Sequence, residues 1–331
     1  MARETILLTR QEIADQIDVT HALPAIESAM GEYEKGNDYL PNKAIFEIPM
    51  EGSSGAWAVC ITGYTRAANL LSMKVGQERT DNMRLQLPTT NSWIPAFDPR
   101  TGELLMICDG TLPTMLRTAA AAAVATKHLA RSEARTLAVI GAGQLGRQCV
   151  RLVSLVRKFE KILLCDVVSD AAKRTAGDLA SQVNVPIQTG DVEATCCQAD
   201  VIVTATASRE PIVMADWVRP GTHLSCMGAD LPDKIECEMK LLSKCRIFAD
   251  EREHAIKRGE VSQAVEEGVL REDCYVGSLG QVINGDLSGR TDDMQITMYD
   301  GVGIGIQDTT IARTIYDQAV AKRLGVSFSF S

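Results

Sequence analysis

The chain has 331 residues, 45% apolar and 5% aromatic, enough for one large or two ordinary globular domains and unlike a disordered chain. A formal net charge of −9 excludes a general nucleic-acid or membrane-surface role, while leaving room for a local basic pocket that takes an acidic small molecule. The ten cysteines lie mostly in apolar runs (Cys60, Cys108, Cys165, Cys226), none forms C-x-x-C, and adjacent Cys196-Cys197 has no matching pair at metal-ligand spacing. They are read as reduced thiols in a cytoplasmic protein without a metal.

The opening MARETILLTRQEIADQ lacks the uninterrupted apolar core of a signal peptide, and no apolar run elsewhere is long enough to span a membrane. Residues 5–8 read as a short strand, after which Thr9 and Glu12 have the spacing of a capping box. A helix is expected over 19–35, stopped by Gly36. Residues 43–49 and 56–64 read as strands around the turn-like Glu51-Gly52-Ser53-Ser54-Gly55. Residues 69–75 form another strand, carrying Lys74. Strands at 91–97 and 104–108 bracket the turn Asp98-Pro99-Arg100-Thr101-Gly102. The first part of the chain is therefore a strand-rich mixed domain. Residues 112–130 (LPTMLRTAAAAAVATKHLA) follow as the segment of highest helix propensity, and its small side chains permit close packing.

The stretch TLAVIGAGQLGRQ comes next. Residues 137–140 are an apolar run suited to a buried parallel strand. Gly141-Ala142-Gly143-Gln144-Leu145-Gly146 then gives G-x-G-x-x-G at the turn into a helix. Gly141 would allow the tight turn, Gly143 the approach of a pyrophosphate, and Gly146 the packing of helix on strand. Gln144 and Leu145 would open the helix, whose N-terminal N–H groups and partial positive charge suit phosphates. A second apolar run, KILLC, closes on Asp166, about where a carboxylate meets the adenosine ribose. That carboxylate would repel a 2′-phosphate, so the expected cofactor is NAD rather than NADP.

Strands and helices then alternate as in βαβ units. Helices are expected at 169–182 and 191–198. Strands are expected from 187, at 200–205, 222–227 and 245–249, and last at 295–300. Residues 250–268 read as one charged helical stretch, 278–289 as a helix with a loop, and 306–324 as a terminal helix that packs back on the first domain. The fold class is α/β, a Rossmann-type doubly wound parallel sheet plus a mixed α+β domain.

Lys43, Lys74 and Arg117 form the cationic candidates. A lysine inside an apolar strand lies at an edge or needs an anionic partner, because an unpaired buried charge is too costly. Lys74 could thus meet an internal Asp or Glu rather than a substrate, Lys43 could be a solvated surface residue, and Arg117 could serve a phosphate or interdomain contact. Arg79, in a charged loop with Glu78, Asp81 and Arg84, could face the pocket mouth. Asp230 follows a nucleotide-domain strand at its carboxyl end, where open α/β sheets bind ligands. It could exchange a proton with a reacting nitrogen if a dry pocket raised its pKa, or it could simply turn the chain before Pro232. Thr206 and Ser208 end the preceding strand with the small residues that give a dinucleotide room. The four histidines have no ligand spacing.

Taken together, the stretches 98–131, GAGQLG, ADVIVTATASREPI, PGTHLSCMGADLPDKIE and YDGVGIGIQD resemble the ornithine cyclodeaminase/mu-crystallin family over nearly the whole chain. The resemblance implies a discontinuous substrate-binding and dimerisation domain (1–128 and 309–331), a Rossmann NAD-binding domain inserted at 129–308, and a homodimer formed through the first domain's sheet. It implies an amino or imino acid substrate held between the domains. It places the family's basic pair on Lys43 and Lys74, its pocket arginine on Arg117 and its catalytic aspartate on Asp230. It also implies cofactor contacts from Thr118, Met227 and Val302. Lysine stands at 43 where many relatives carry arginine, a point charge in place of a bidentate fork, and residues 76–91 differ from the usual F/Y-P-x-N-P pattern.

The activity expected is NAD(H)-dependent reduction of an α-imino acid, with Lys74, Arg117 and Lys43 on the α-carboxylate and Asp230 serving the nitrogen. With Arg79 turned inward, a dicarboxylic imine such as iminosuccinate would fit. Two alternatives stand beside this reading: an ornithine cyclodeaminase using NAD catalytically, and a mu-crystallin-like binding protein without turnover.

Overall fold

A computed structural model describes residues 4–49 and 56–330. The turn expected at 51–55 lies outside the described residues. The strands are β1 (Thr5–Leu8), β2 (Ala44–Glu47), β3 (Ala56–Thr65), β4 (Leu70–Arg79), β5 (Thr90–Phe97) and β6 (Leu104–Asp109), then β7 (Thr136–Ile140), β8 (Lys161–Cys165), β9 (Ile187–Thr189), β10 (Val201–Thr204), β11 (His223–Cys226), β12 (Cys245–Ala249), β13 (Tyr275–Ser278) and β14 (Ile296–Asp300), and finally β15 (Val326–Phe328). They form two sheets in two compact units, one of residues up to Arg117 together with Ile304 onward, the other Thr118–Gly303. The breaks fall at 117/118 and 303/304, earlier than the 128/129 and 308/309 expected from the resemblance. The helix Thr111–Leu129 runs across the first break, and its second half, Ala119 to Ala125, is wholly buried.

The first unit holds a seven-stranded sheet in the order β15-β1-β6-β5-β4-β3-β2. Adjacent strands are antiparallel except β1 with β6. Thr9 and Glu12 make the expected reciprocal cap, and the helix Ala22–Glu34 ends before Gly36 at φ +72°. Helix Gly305–Lys322 packs on β3 and β4, which sets the position of its first turn. A Cβ on Gly63 would lie 2.5 Å from the Gly305 carbonyl carbon, so backbone meets backbone there and only glycine fits. Thr309 Oγ1 donates to the Gly63 carbonyl at 2.9 Å and lies 2.8 Å from Ser72 Oγ, fixing the same turn against both strands. Strand β15, which pairs with β1, is an element not expected from the sequence.

The second unit holds an eight-stranded, wholly parallel sheet in the order β13-β12-β14-β11-β10-β7-β8-β9. Strands β7, β10, β11 and β14 are buried at every position, as expected where helices cover both faces. Strand order is not read from the sequence, and one segment differs from expectation. The last strand of the unit, β14, inserts between β11 and β12. The stretch 250–268 is two helices, Arg252–Arg258 and Ser262–Glu266, interrupted at Gly259, whose missing Cβ would lie 2.5 Å from the Asp300 carboxylate. No helix among the described residues is long and apolar enough to cross a membrane.

Candidate active site

The predicted cations converge within the first unit. Lys74 points from the buried face of β4, and its Nζ lies 3.1 Å from both carboxylate oxygens of Asp308. Arg117 Nε donates to Asp308 Oδ1 at 3.1 Å, and Arg117 Nη1 donates to Gln307 Oε1 at 3.2 Å. All four side chains are buried. Lys43, half-buried just before β2, is close enough for its charge to act on both Lys74 and Asp308. Burial pushes the Lys74 ammonium down to about 8, against the opposing pull of Asp308, while Arg117 and Lys43 press it further down. Burial also works against the Asp308 carboxylate, but Lys74, Arg117 and Lys43 outweigh it and hold the group below its ordinary value.

Two buried cations thus share one carboxylate in a desolvated setting, with the charge of Lys43 felt nearby. Gln307 Nε2 is buried without a hydrogen-bond partner among the described residues. Buried cations beside an idle amide donor are chemically suited to an anion such as a carboxylate.

Arg79 does not join this cluster. The pairing of β4 with β3 runs without a bulge from Leu70 to Arg79, so residues 74 and 79, an odd number apart, project from opposite faces. Arg79 shares the outer face with Met73 and Val75 and donates to Gln77 Oε1 at 3.3 Å.

The glycine loop of the second unit behaves as its spacing predicts. Gly141 has φ +105°, and a Cβ there would lie 2.5 Å from the Ala205 carbonyl oxygen. A Cβ on Gly146 would come 1.8 Å from the Gly141 oxygen, whereas one on Gly143 would meet nothing within 4 Å. Gly143 and Gln144 are exposed, Leu145 is half-buried, and Gly143 caps the helix Gln144–Val153 with no side chain over its N–H groups. Asp166 leaves the end of β8, and its Oδ2 accepts the Ala142 N–H at 2.8 Å while Oδ1 accepts that of Val168 at 2.9 Å. An open N-terminus at a glycine turn, with a carboxylate fixed beside it, fits a dinucleotide.

The other candidates of this unit lie at the carboxyl edge of the sheet. Thr206 follows β10, Met227 follows β11 and Val302 follows β14, the last two buried. Ser208 Oγ is engaged locally, donating to the Glu210 carbonyl at 2.6 Å, and Thr118 is buried directly after Arg117. Asp230 is not in a dry pocket. Its side chain is 51% exposed and its Oδ1 lies 2.7 Å from Lys234 Nζ.

Sequence reasoning missed four buried acids in this unit, Glu236, Asp250, Glu260 and Asp300. Burial raises Glu236 and Asp300, the latter to about 7, and lifts Glu260 well above the usual carboxylate range with help from the nearby Glu236 charge. Cys226, Cys237 and Glu260 come within 4.8 Å of one another, although the sequence offers no metal-ligand spacing. Glu260 there accepts the N–H groups of Glu236 and Cys237, and three donors fall short of a tetrahedral structural set.

The sequence profile of the ornithine cyclodeaminase/mu-crystallin family matches residues 3–323. This chain belongs to that family. The alanine dehydrogenase of Archaeoglobus fulgidus is 33% identical over 330 residues, 99% of either chain. The iminosuccinate reductase of Paracoccus denitrificans is 33% identical over 326 residues, 97% of this chain and 98% of that one. The Paracoccus enzyme, solved in complex with NAD+, has a TM-score of 0.91 at 31% identity, covering 99% of this chain and 100% of that one. An archaeal alanine dehydrogenase dimer with bound NAD superposes at 0.93 with 30% identity, covering 99% and 100%. These family members share both the parallel dinucleotide-type sheet and the second, mixed sheet.

Proposed function

We propose that this protein is an NAD(H)-dependent oxidoreductase that reduces an α-imino acid to the corresponding amino acid. The observation that carries the reading is the buried pair of Lys74 and Arg117 on a single carboxylate, Asp308, with the charge of Lys43 acting on it from nearby. Family members that turn over alanine and iminosuccinate support it.

NADH supplies the reducing equivalent when bound. Gly141, Gly143 and Gly146, with the first residues Gln144 and Leu145 of the following helix, would hold the pyrophosphate. Asp166 would take the ribose hydroxyls and disfavour a 2′-phosphate. Thr118, Thr206, Ser208, Met227 and Val302 would line the rest of the dinucleotide. Lys74 and Arg117, with Lys43, would grip the α-carboxylate, and Gln307 Nε2 would add a neutral donor. Asp308 keeps the two buried cations in place before substrate arrives, so little reorganisation is needed on binding. Asp230, half exposed and paired with Lys234, would hold the proton on the substrate nitrogen by accepting a hydrogen bond from it. A dicarboxylic imine such as iminosuccinate is the extension that the Paracoccus relative supports, with the second carboxylate met by residues other than Arg79.

A homodimer is part of the proposal. Phe46, Met73, Val75 and Trp93 stand exposed on the outer face of the first unit's sheet, and the archaeal alanine dehydrogenase was solved as a dimer. A cytoplasmic setting suits ten cysteines that are all free.

The test is NADH oxidation with a panel of 2-oxo acids and ammonia or methylamine, oxaloacetate included, and with preformed cyclic imines. Stoichiometric NADH loss with one member, abolished by Asp230→Asn while NADH still binds, is the expected result. Proline formed from ornithine without net NADH change would assign a cyclodeaminase instead. Tight ligand binding without turnover across the panel would assign a binding protein.

A further inference from the structure

Glu236 lies 8 residues beyond Gly228 and 30 beyond Thr206, yet its carboxylate joins them. Oε1 accepts the Thr206 N–H at 2.8 Å and the Thr206 hydroxyl at 2.7 Å. Oε2 accepts the Thr204 hydroxyl at 2.6 Å and the Gly228 N–H at 2.9 Å. A Cβ on Gly228 would lie 2.5 Å from Glu236 Oε1, so the loop after β11 lies directly against the carboxylate. Glu236 is fully buried, and four donors satisfy a charge that burial alone would suppress.

Glu236 is itself held. Its own N–H is accepted by the Glu260 carboxylate at 2.9 Å, and the N–H of Glu260 is accepted by Asp300 Oδ1 at 3.0 Å. Tyr275 donates its hydroxyl to Asp300 Oδ2 at 2.6 Å. Asp250, at the end of β12, accepts the Gly303 N–H at 2.7 Å and so fixes the loop that carries Val302. Buried carboxylates thus tie down the three loops that follow β10, β11 and β14.

We infer that Glu236 is a positioning residue for the dinucleotide site, holding Thr206 and the Met227-Gly228 turn in the geometry that the cofactor requires. Glu260 and Asp300 back it in series, and Asp250 does the same for the loop of Val302. The inference rests on the dinucleotide reading proposed above and adds the carboxylate that shapes the site without touching the cofactor. A side chain that only stabilised the fold would change the melting temperature and leave the cofactor affinity of the folded protein alone.

The test measures NADH affinity by fluorescence on full-length wild type, Glu236→Gln, Thr204→Val, Thr204→Ser and the Glu236→Gln/Thr204→Val double variant, each checked by circular dichroism. Thr204 is buried, donates its hydroxyl to Glu236 Oε2 and is not among the residues placed at the cofactor. Glu236→Gln keeps the shape but cannot accept at both ends. It is expected to weaken NADH at least about tenfold, and Thr204→Val about fivefold. The double variant should lose no more than the worse single one, since both break one linkage. Thr204→Ser, which keeps the hydroxyl, should bind as wild type. With substrate saturating, KM for NADH should rise more than kcat falls. A folded Glu236→Gln within twofold of wild type, or additive losses in the double variant, overturns the inference. Where Glu236→Gln does not fold, equal affinities of Thr204→Val and Thr204→Ser overturn it. Wild type that binds no NADH overturns the dinucleotide reading and this inference with it, whereas normal wild-type binding with unchanged variants removes this inference alone.

Discussion

Lys74 Nζ stands 3.1 Å from each carboxylate oxygen of Asp308, a residue 234 positions further along the chain. Burial pushes the lysine toward its neutral form, and the pair opposes that shift as well as fixing the side chain's position. Lys74 is pushed down to about 8, and a substrate carboxylate needs the charged form. With Asp308 raising Lys74 against its burial, kcat/KM is expected to fall as pH rises through about 8 rather than near the usual lysine value. Asp308→Asn removes the raising charge, so the alkaline limb should move to lower pH and KM should rise. Asp308→Ala leaves buried cations without a counter-charge and should lose on the order of 3–5 kcal/mol of stability. A pH–rate profile with the limb unmoved in Asp308→Asn contradicts the assignment.

Gly143 and Gly146 separate binding from folding. A Cβ at 143 meets nothing within 4 Å, and one at 146 meets the Gly141 oxygen at 1.8 Å. Gly143→Ala is expected to melt near wild type and bind NADH more than tenfold more weakly, because the methyl would enter the space proposed for the pyrophosphate. Gly146→Ala should lower the melting temperature by several degrees. Thermal melts and NADH titrations of the two variants check both halves.

Asp166→Ala is expected to reduce the preference for NADH over NADPH by about tenfold or more, since a 2′-phosphate would no longer meet a carboxylate. Its Oδ2 also orders the glycine loop through Ala142, so affinity for both cofactors should fall somewhat. The ratio of kcat/KM values is the measurement, and an unchanged ratio excludes the ribose role.

Trp93 is 53% exposed and lies opposite Val75 on the outer face of the sheet. Trp93→Glu places a charge in that apolar face and is expected to convert a dimer to monomers at micromolar concentration. Light scattering with size exclusion reads the result. A wild-type monomer contradicts the proposed assembly.

The glycine loop was legible from sequence because each glycine answers a local requirement: a turn, an open approach or a close packing. Lys74 was half legible. Its setting among apolar residues called for an anion, but nothing in IGIQD marks Asp308 or Gln307 as that partner, since the contact depends on where helix Gly305–Lys322 lands on β4. Arg79 illustrates a limit of boundaries. The expected strand ended at 75, and only its continuation to Arg79 fixes which face the side chain takes. The insertion of β14 between β11 and β12 was beyond reach, because hydrophobic runs identify buried strands without recording their neighbours. Glu236 and its fellow acids carry no local signature either. A lone glutamate in LPDKIEC looks solvated until the fold encloses it.

The first unit is assembled from both ends of the polypeptide, with Gly305–Lys322 and β15 supplied last. During synthesis, β4 and the arginine of the long helix leave the ribosome well before the aspartate that balances them. Until residue 308 emerges, burying Lys74 is costly for want of its counter-charge, so this sheet is expected to stay in a looser, hydrated form. The interposed nucleotide unit has no such dependence and can complete its folding first. A nascent chain released before residue 304 should therefore protect the parallel sheet from protease and leave β3 and β4 open to cleavage.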